Sequence, residues 1–518
     1  MANTNLLRSL ANISGMTFIS RVLGFVRDTL MASAFGAGVV TDAFYIAFRL
    51  PNLLRRIFAE GAFSQAFVPI LAEYKNRQSI YETKSFIADI SGLLSLILII
   101  FTALGIIFSG AIILITAPGF SSDPTKFMLA ATLLKITFPY ILFISLTSLV
   151  GSILNTWGIF AITAFTPTIL NICWIIAILF LRHYFAQPII AIAWGVFIGG
   201  FLQLLFQLPS LKKIGMLTWP RLNFKDKAVK RVLMLMIPAI FATSISQISI
   251  IINTIFASFL PNGSISWMNF ADRIMEFPTG ILGVALGTIL LPNLSKHASD
   301  KNSELFSKTL DWGARLCLLL ALPATIGLAL IAKQLTMTLF MHGKFTMFDA
   351  IMTERALIAY SVGLLGLILV KVFAPGFYAN QNIMTPVKIA IFSLICTQIM
   401  NVIFVGPFKH AGLALAISLG ACINAGNLCY QLIKKGIYQP QKGWLIFSIK
   451  LIIANAIMAI ILKLALIFLP FDFIAATSVR IISLLILLFV AGCAYFISLF
   501  LLGFKLSDFS FKEHIEKL

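Results

Sequence analysis

The sequence predicts an all-α polytopic membrane protein of about fourteen transmembrane helices, built as two pseudo-symmetric six-helix lobes plus two C-terminal helices. Composition is the first observation behind that reading. Of 518 residues 59% are hydrophobic and 11% charged, with a mean hydropathy of +0.98, against roughly 45–50% apolar and about 25% charged in soluble domains. The second is run length. Stretches such as Gly92–Thr116, Phe127–Ile153, Leu316–Ala332 and Ile446–Pro470 approach or exceed the roughly 18–20 apolar residues that cross a bilayer core of about 30 Å. These runs are apolar on every face, which excludes a barrel of short alternating strands.

Apolar periodicity broken by proline, glycine and charge places the spans near 8–35, 40–72, 86–116, 127–153, 158–181, 187–209, 230–260, 265–295, 307–332, 350–378, 384–405, 411–433, 444–469 and 475–503. Arg21, Arg27 and Asp28 interrupt the first run, so a retained span rather than a cleavable signal peptide is expected. An even number of spans puts both termini on one side. If that side is the cytoplasm, inside segments hold 21 Lys and Arg and outside segments 7, so positive-inside bias predicts cytoplasmic termini. The same bias explains the net charge of +20 without a nucleic-acid partner. The six cysteines lie in apolar runs without ligand spacing and read as small core residues.

An internal repeat is the third observation. Phe67-Val-Pro-Ile-Leu71 resembles Leu290-Leu-Pro-Asn-Leu294, and Thr166-Pro167 resembles Thr385-Pro386, at nearly equal offsets; duplicated halves are a common build of secondary transporters. The expected divisions are an N-terminal lobe at 1–210, a basic amphipathic linker at 211–229, a C-terminal lobe at 230–435, the two extra spans at 436–503 and a cytoplasmic tail at 504–518. The linker, with Leu, Trp and Phe among its cations, suits either a helix on an anionic leaflet or a solvated loop.

Charge inside the spans carries the functional signal. Arg21, Arg27, Arg49, Arg55 and Arg56 fall within the first two spans, where Asp28, Asp42 and Glu60 supply three acids. An arginine at mid-membrane costs about 2.5–3.5 kcal/mol on insertion scales, so these five call for a hydrated cavity or a closed ion-pair network. A surplus of positive charge favours an anion. The guanidinium fork matches phosphate oxygens in pairs, which makes a phosphate or diphosphate the natural ligand. Gly24 either bends the first helix or lets a neighbour pack closely. In the second half Asp272, Arg273 and Glu276 occupy the level of Arg49 in the repeat, with an Arg273–Glu276 pair at i,i+3 as the structural alternative. Lys371, well inside span ten, is a further cavity candidate. The sequence has no Walker A or HExxH motif, and its five histidines sit at span ends or in loops. Transport rather than enzymatic chemistry is left.

Ser20-Arg-Val-Leu-Gly-Phe-Val-Arg-Asp28, Thr41-Asp-Ala-Phe44, the run from Leu50 to Leu71 and Ala271-Asp-Arg-Ile-Met-Glu-Phe-Pro278 resemble the MurJ (MviN) family of lipid II flippases, in the superfamily of multidrug, oligosaccharidyl-lipid and polysaccharide exporters. The resemblance covers essentially the whole chain. It implies a central cationic cavity, inward- and outward-open states, a lipid-tail groove beside spans thirteen and fourteen, and a bacterial inner-membrane location. The implied substrate is the undecaprenyl-diphosphate-linked disaccharide-pentapeptide, moved to the periplasmic leaflet, with membrane lipids and cell-wall synthesis and division proteins as further partners. The family's functional arginines map onto Arg21, Arg27, Arg55 and Arg273, its acids onto Asp28 and Asp42, and its span-ten lysine onto Lys371; Glu60 and Glu276 join as ion-pair or gate positions. Some members hold sodium with carboxylates. Here the matching segments carry only Asn253 and Asn401, so no cofactor or metal is expected, and coupling to membrane potential or a monovalent cation stays open. Two other readings are a cation-coupled drug or solute antiporter, which calls for an acidic cavity, and a non-transporting cell-wall scaffold, which calls for arginines that tolerate neutral replacement.

Overall fold

A polypeptide in lipid must satisfy its backbone internally, and among the described residues of this chain every regular element is helical. The computed structural model describes residues 2–57, 63–468, 471, 473 and 475–505, with the side chains of 2–14, 241–243, 245–246 and 284 left aside. Two compact units emerge, Met1–Ser266 and Trp267–Leu518. The first contains α1 (Ala2–Phe35), α2 (Val39–Arg55), α3 (Phe63–Arg77), α4 (Ile80–Ile107), α5 (Ser109–Thr116), α6 (Pro124–Thr137), α7 (Tyr140–Thr156), α8 (Phe160–Leu179), α9 (Ile189–Lys213) and α10 (Lys227–Ser258). The chain continues through α11 (Ser264–Ser299), α12 (Ser303–Leu330), α13 (Ala332–Phe340), α14 (Met347–Tyr378), α15 (Met384–Lys434), α16 (Trp444–Phe468) and α17 (Thr477–Leu501).

Ten helical segments among the described residues are long and apolar enough to cross a membrane. They count the 51-residue α15 once, although Lys409 (φ 51°, ψ −127°) interrupts it near the expected break between spans eleven and twelve. Span two holds α2 and α3 on either side of residues 58–62, which lie outside the described residues, with Pro51 inside the first and Pro69 inside the second. Helix starts follow local chemistry. Ser79 and Glu82 form a capping box for α4, Asp123 accepts from Thr125 and Lys126 at the start of α6, and Asp226 accepts from Ala228 and Val229 at α10.

In the first unit α1 lies on α8, α8 on α9, and α10 against α3 and α5. The linker is not a helix between Met216 and Asn223. Its backbone is strapped to α4 instead: Arg221 donates its N–H to Ala88 O at 2.9 Å, its Nε to Asp89 Oδ1 at 2.7 Å and an Nη to Ser85 Oγ at 2.6 Å, while Asn223 donates to Asp89 Oδ2 at 3.0 Å. A Cβ on Gly92 would stand 2.3 Å from the Arg221 carbonyl oxygen, so only glycine admits this approach. Asp89 is fully buried, and a buried carboxylate strongly favours partners over water-facing freedom. Amphipathic composition alone does not reveal that competition.

In the second unit α14 and α15 pack backbone to backbone, a Cβ on Gly363 falling 2.5 Å from Ser418 Cα and one on Gly366 falling 2.7 Å from Cys422 N. The start of α16 is fastened by Asp311 of α12. Its fully buried carboxylate accepts from Arg315 Nε (2.7 Å), Tyr438 Oη (2.8 Å), Gln441 N (3.1 Å) and Trp444 Nε1 (2.7 Å). Arg480 of α17, counted with the outer loops by sequence, is buried and donates to Met337 O at the end of α13 at 2.9 Å. Arginine there complements the negative end of the helix dipole.

Replacing Asp311 by Ala strands four donors, Tyr438 Oη among them buried, and is expected to cost about 3–5 kcal/mol of stability. Glu304→Ala, which removes an exposed carboxylate from its pair with half-buried Lys308, is expected to cost less than about 1 kcal/mol. Denaturation of the detergent-solubilised variants checks the contrast; equal losses would mean that Asp311 is not the fastening point.

Candidate functional site

Gly24, Arg27, Asp28, Met31 and Ala32 form the buried stripe of α1, at the spacing that one helical face requires. The stripe meets α8. Arg27 donates through Nε (2.9 Å) and Nη2 (2.7 Å) to Asp28 Oδ1 and through Nη1 to Asn171 Oδ1 (3.0 Å), and its guanidinium lies 4.3 Å from the Trp174 ring centroid. Asn171 in turn donates to Ser20 O at 3.0 Å. Asn171 and Trp174 thus hold Arg27 on two sides, a role that the apolar pattern of α8 did not disclose. The helix runs unbroken through Gly24, which packs beside Asn171. Arg21, seven residues before Asp28, is exposed.

Trp174 also receives Phe44 and Phe48 of α2, edge to face with centroids 5.1 and 5.2 Å away. Further along α2, Arg49 donates to Thr254 Oγ1 of α10 at 2.7 Å, beside a small pocket lined by Ile46, Leu50, Leu53, Thr116 and Ile251. Half-buried Arg55 donates to Asn52 Oδ1 at 3.0 Å, and Arg56 is exposed. Pro51 withholds a backbone donor between Arg49 and Arg55, and the backbone widens into a π turn at Arg56–Ile57. Such irregular turns re-aim side chains and recur at functional sites. Glu60 lies outside the described residues.

Asp42 meets a different cation from those expected. Its buried carboxylate lies 3.5 Å from Lys126 Nζ and accepts from Gly263 N (2.7 Å), Ser266 N (2.9 Å) and Ser266 Oγ (2.6 Å). It therefore caps the first turn of α11 from another helix. Lys126 is itself buried, donates to Asn262 Oδ1 at 2.8 Å and sits 4.0 Å from the Phe120 ring centroid. By sequence Lys126 falls in an outer loop; its position three residues past the Asp123 cap, in the first turn of α6, is what turns it inward.

In the second unit Arg273 Nη1 donates to Glu276 Oε2 at 2.6 Å, the i,i+3 pair that spacing allows. Lys371 of α14 lies over Gly283 of α11. Asn253 is buried in the first unit, and Asn401, buried in the second, donates to Gln398 Oε1 at 2.9 Å. Among the described residues no three or more His, Cys, Asp or Glu gather as a metal site would need. The structure thus joins Arg27 to Asp28, Arg49 to Thr254 and Arg273 to Glu276, and gives Asp42 to Lys126.

The pattern of the family described as "Lipid II flippase MurJ" matches residues 31–489. The chain is 48% identical over 510 residues to the lipid II flippase MurJ of Burkholderia cenocepacia, covering 98% of this chain and 99% of that one. A solved lipid II flippase MurJ in an inward closed conformation superposes with a TM-score of 0.78 at 30% identity, covering 94% of this chain and 98% of the other. An inward-facing multidrug resistance MATE transporter shares the fold at 14% identity, with a TM-score of 0.64 over 80% of this chain and 95% of its own.

Removing either member of the buried Asp42–Lys126 pair leaves the other charge buried without its counter-charge. Asp42→Asn and Lys126→Met are each expected to lower stability, and the double variant to lose less than their sum by about 0.5–3 kcal/mol. A denaturation double-mutant cycle measures this coupling; strict additivity would show that the two residues act separately.

Proposed function

Because the chain belongs to the MurJ family of lipid II flippases, a multi-pass membrane transporter rather than an enzyme, we propose that it moves undecaprenyl-diphosphate-linked disaccharide-pentapeptide from the cytoplasmic to the periplasmic leaflet. The observation that carries the anion reading is the charge left over on the first two spans. Five arginines share that stretch with Asp28, Asp42 and Glu60, and Asp42 is engaged by Lys126 instead. The remainder is cationic. Diphosphate oxygens accept pairs of guanidinium hydrogen bonds, which are stronger than neutral ones.

In this reading Arg21, Arg27, Arg55 and Arg273 hold the diphosphate in a hydrated cavity, with Arg49, Arg56 and Lys371 as additional positive charge. Exposed Arg21 and Arg56 meet the headgroup without first breaking a buried contact. Arg27 is pre-oriented by Asp28, Asn171 and Trp174, so its recruitment exchanges one set of acceptors for another. The isoprenoid tail stays in lipid beside α16 and α17, and only the headgroup crosses. Residues 1–210 and 230–435 serve as the halves of an alternating-access cycle. Asp42 is the gate contact: release of Gly263–Ser266 from its carboxylate leaves the ion pair with Lys126 to keep the charge compensated. Positive-inside bias supports cytoplasmic termini.

Reconstitution in liposomes with lipid II, with and without an imposed potential and with sodium or potassium, tests the proposal. Wild type is expected to deliver lipid II to the opposite leaflet, and Arg21→Ala, Arg55→Ala and Arg273→Ala to slow delivery roughly tenfold or more each, the weight of one charged hydrogen bond of about 1.5–3 kcal/mol. Undiminished rates in all three would overturn the cationic site. Folded wild type that moves no lipid II under any of these conditions would overturn the substrate.

A further inference from the structure

Lys371 reaches its position across a surface that one residue keeps bare. An ideal Cβ built on Gly283 would stand 2.7 Å from Lys371 Cδ, 3.1 Å from Nζ and 3.3 Å from Cε. Carbon atoms in contact prefer about 3.5–4.0 Å, so any side chain at 283 displaces the lysine. Gly283 is buried, and the obstructing atoms belong to the far part of a flexible chain. Ala at 283 therefore leaves the helices in place and moves the ammonium. Glu276 and Gly283 are seven residues apart on α11, on nearly one face and about 10 Å along the axis. The bare surface thus lays Lys371 along the flank of the helix that bears the Arg273–Glu276 pair.

We propose that Gly283 is a positioning residue for transport: by withholding a side chain it sets the Lys371 ammonium against α11, at the depth where it meets the anionic headgroup after Arg273. The inference rests on the flippase reading above for its consequence, and on the Gly283–Lys371 contact alone for its geometry. Gly287, one turn further along the same helix, has no atom within 4 Å of its would-be Cβ and serves as the control. Alanine is also the better helix former at both positions, so lost stability does not account for a defect.

Two readouts separate the geometry from its use. In nanodiscs, acetylation of Lys371 by N-hydroxysuccinimide acetate, followed by peptide mass spectrometry, is expected to change several-fold in Gly283→Ala and not in Gly287→Ala, with the other lysines unaffected. In lipid II liposomes Gly283→Ala is expected to slow translocation roughly tenfold or more, up to the roughly hundredfold that an ångström of misplacement can cost, with an unchanged melting temperature, while Gly287→Ala stays near the wild-type rate. Unchanged labelling in Gly283→Ala overturns the contact, whether or not the wild type moves lipid II. Altered labelling with an unaltered rate, or equal loss at both glycines, overturns the positioning role.

Discussion

A carboxylate withdrawn from water must be met by donors, and among the described residues five buried aspartates impose that condition. Asp28 takes Arg27; Asp42 takes Lys126 and the first turn of α11; Asp89 takes Arg221 and Asn223. Asp311 gathers an arginine, a tyrosine, a tryptophan and a backbone N–H, and Asp349 accepts from Trp267 and Thr346. The last four each join segments far apart in sequence, and the arginine that Asp28 holds reaches Asn171 of α8. In a chain whose helices are apolar on most faces, hydrophobicity gives little preference among partners, and these polar junctions select the pairing.

The same condition shapes the site. Asp42, Asp89, Asp311 and Asp349 are committed to partners other than the arginines of α1 and α2, so of the buried aspartates only Asp28 offsets that charge, and in the proposed function the surplus serves the anionic headgroup. Arg27 stands at the boundary between the two roles. It is held by a carboxylate, an amide and an indole, which keeps its rotamer defined. Preorganisation of this kind lowers the reorganisation that binding demands.

Much of this was legible in the sequence. Long apolar runs gave the positions of most helices, and the motifs around the arginine cluster pointed to the family. The i,i+3 spacing of Arg273 and Glu276 foretold their pair. What periodicity could not convey was partnership across helices: Lys126 and Arg480 looked like loop cations because burial depends on which neighbour approaches, and Asn171 and Trp174 looked like ordinary span residues. The linker read as amphipathic because its composition is so, with Trp219 91% exposed, yet Asp89, 132 residues away from Arg221, decides its course.

That strap also sets a length. From Lys213 at the end of α9 to Lys227 at the start of α10, a free chain could extend roughly 50 Å, whereas from the anchored Arg221 to Lys227 it reaches only roughly 20 Å. While Asp89 holds Arg221, the connection acts as a short leash on α10, limiting its travel to less than the thickness of the membrane core. A sequence that would otherwise be a slack tether becomes a mechanical stop, with its range fixed by one buried carboxylate.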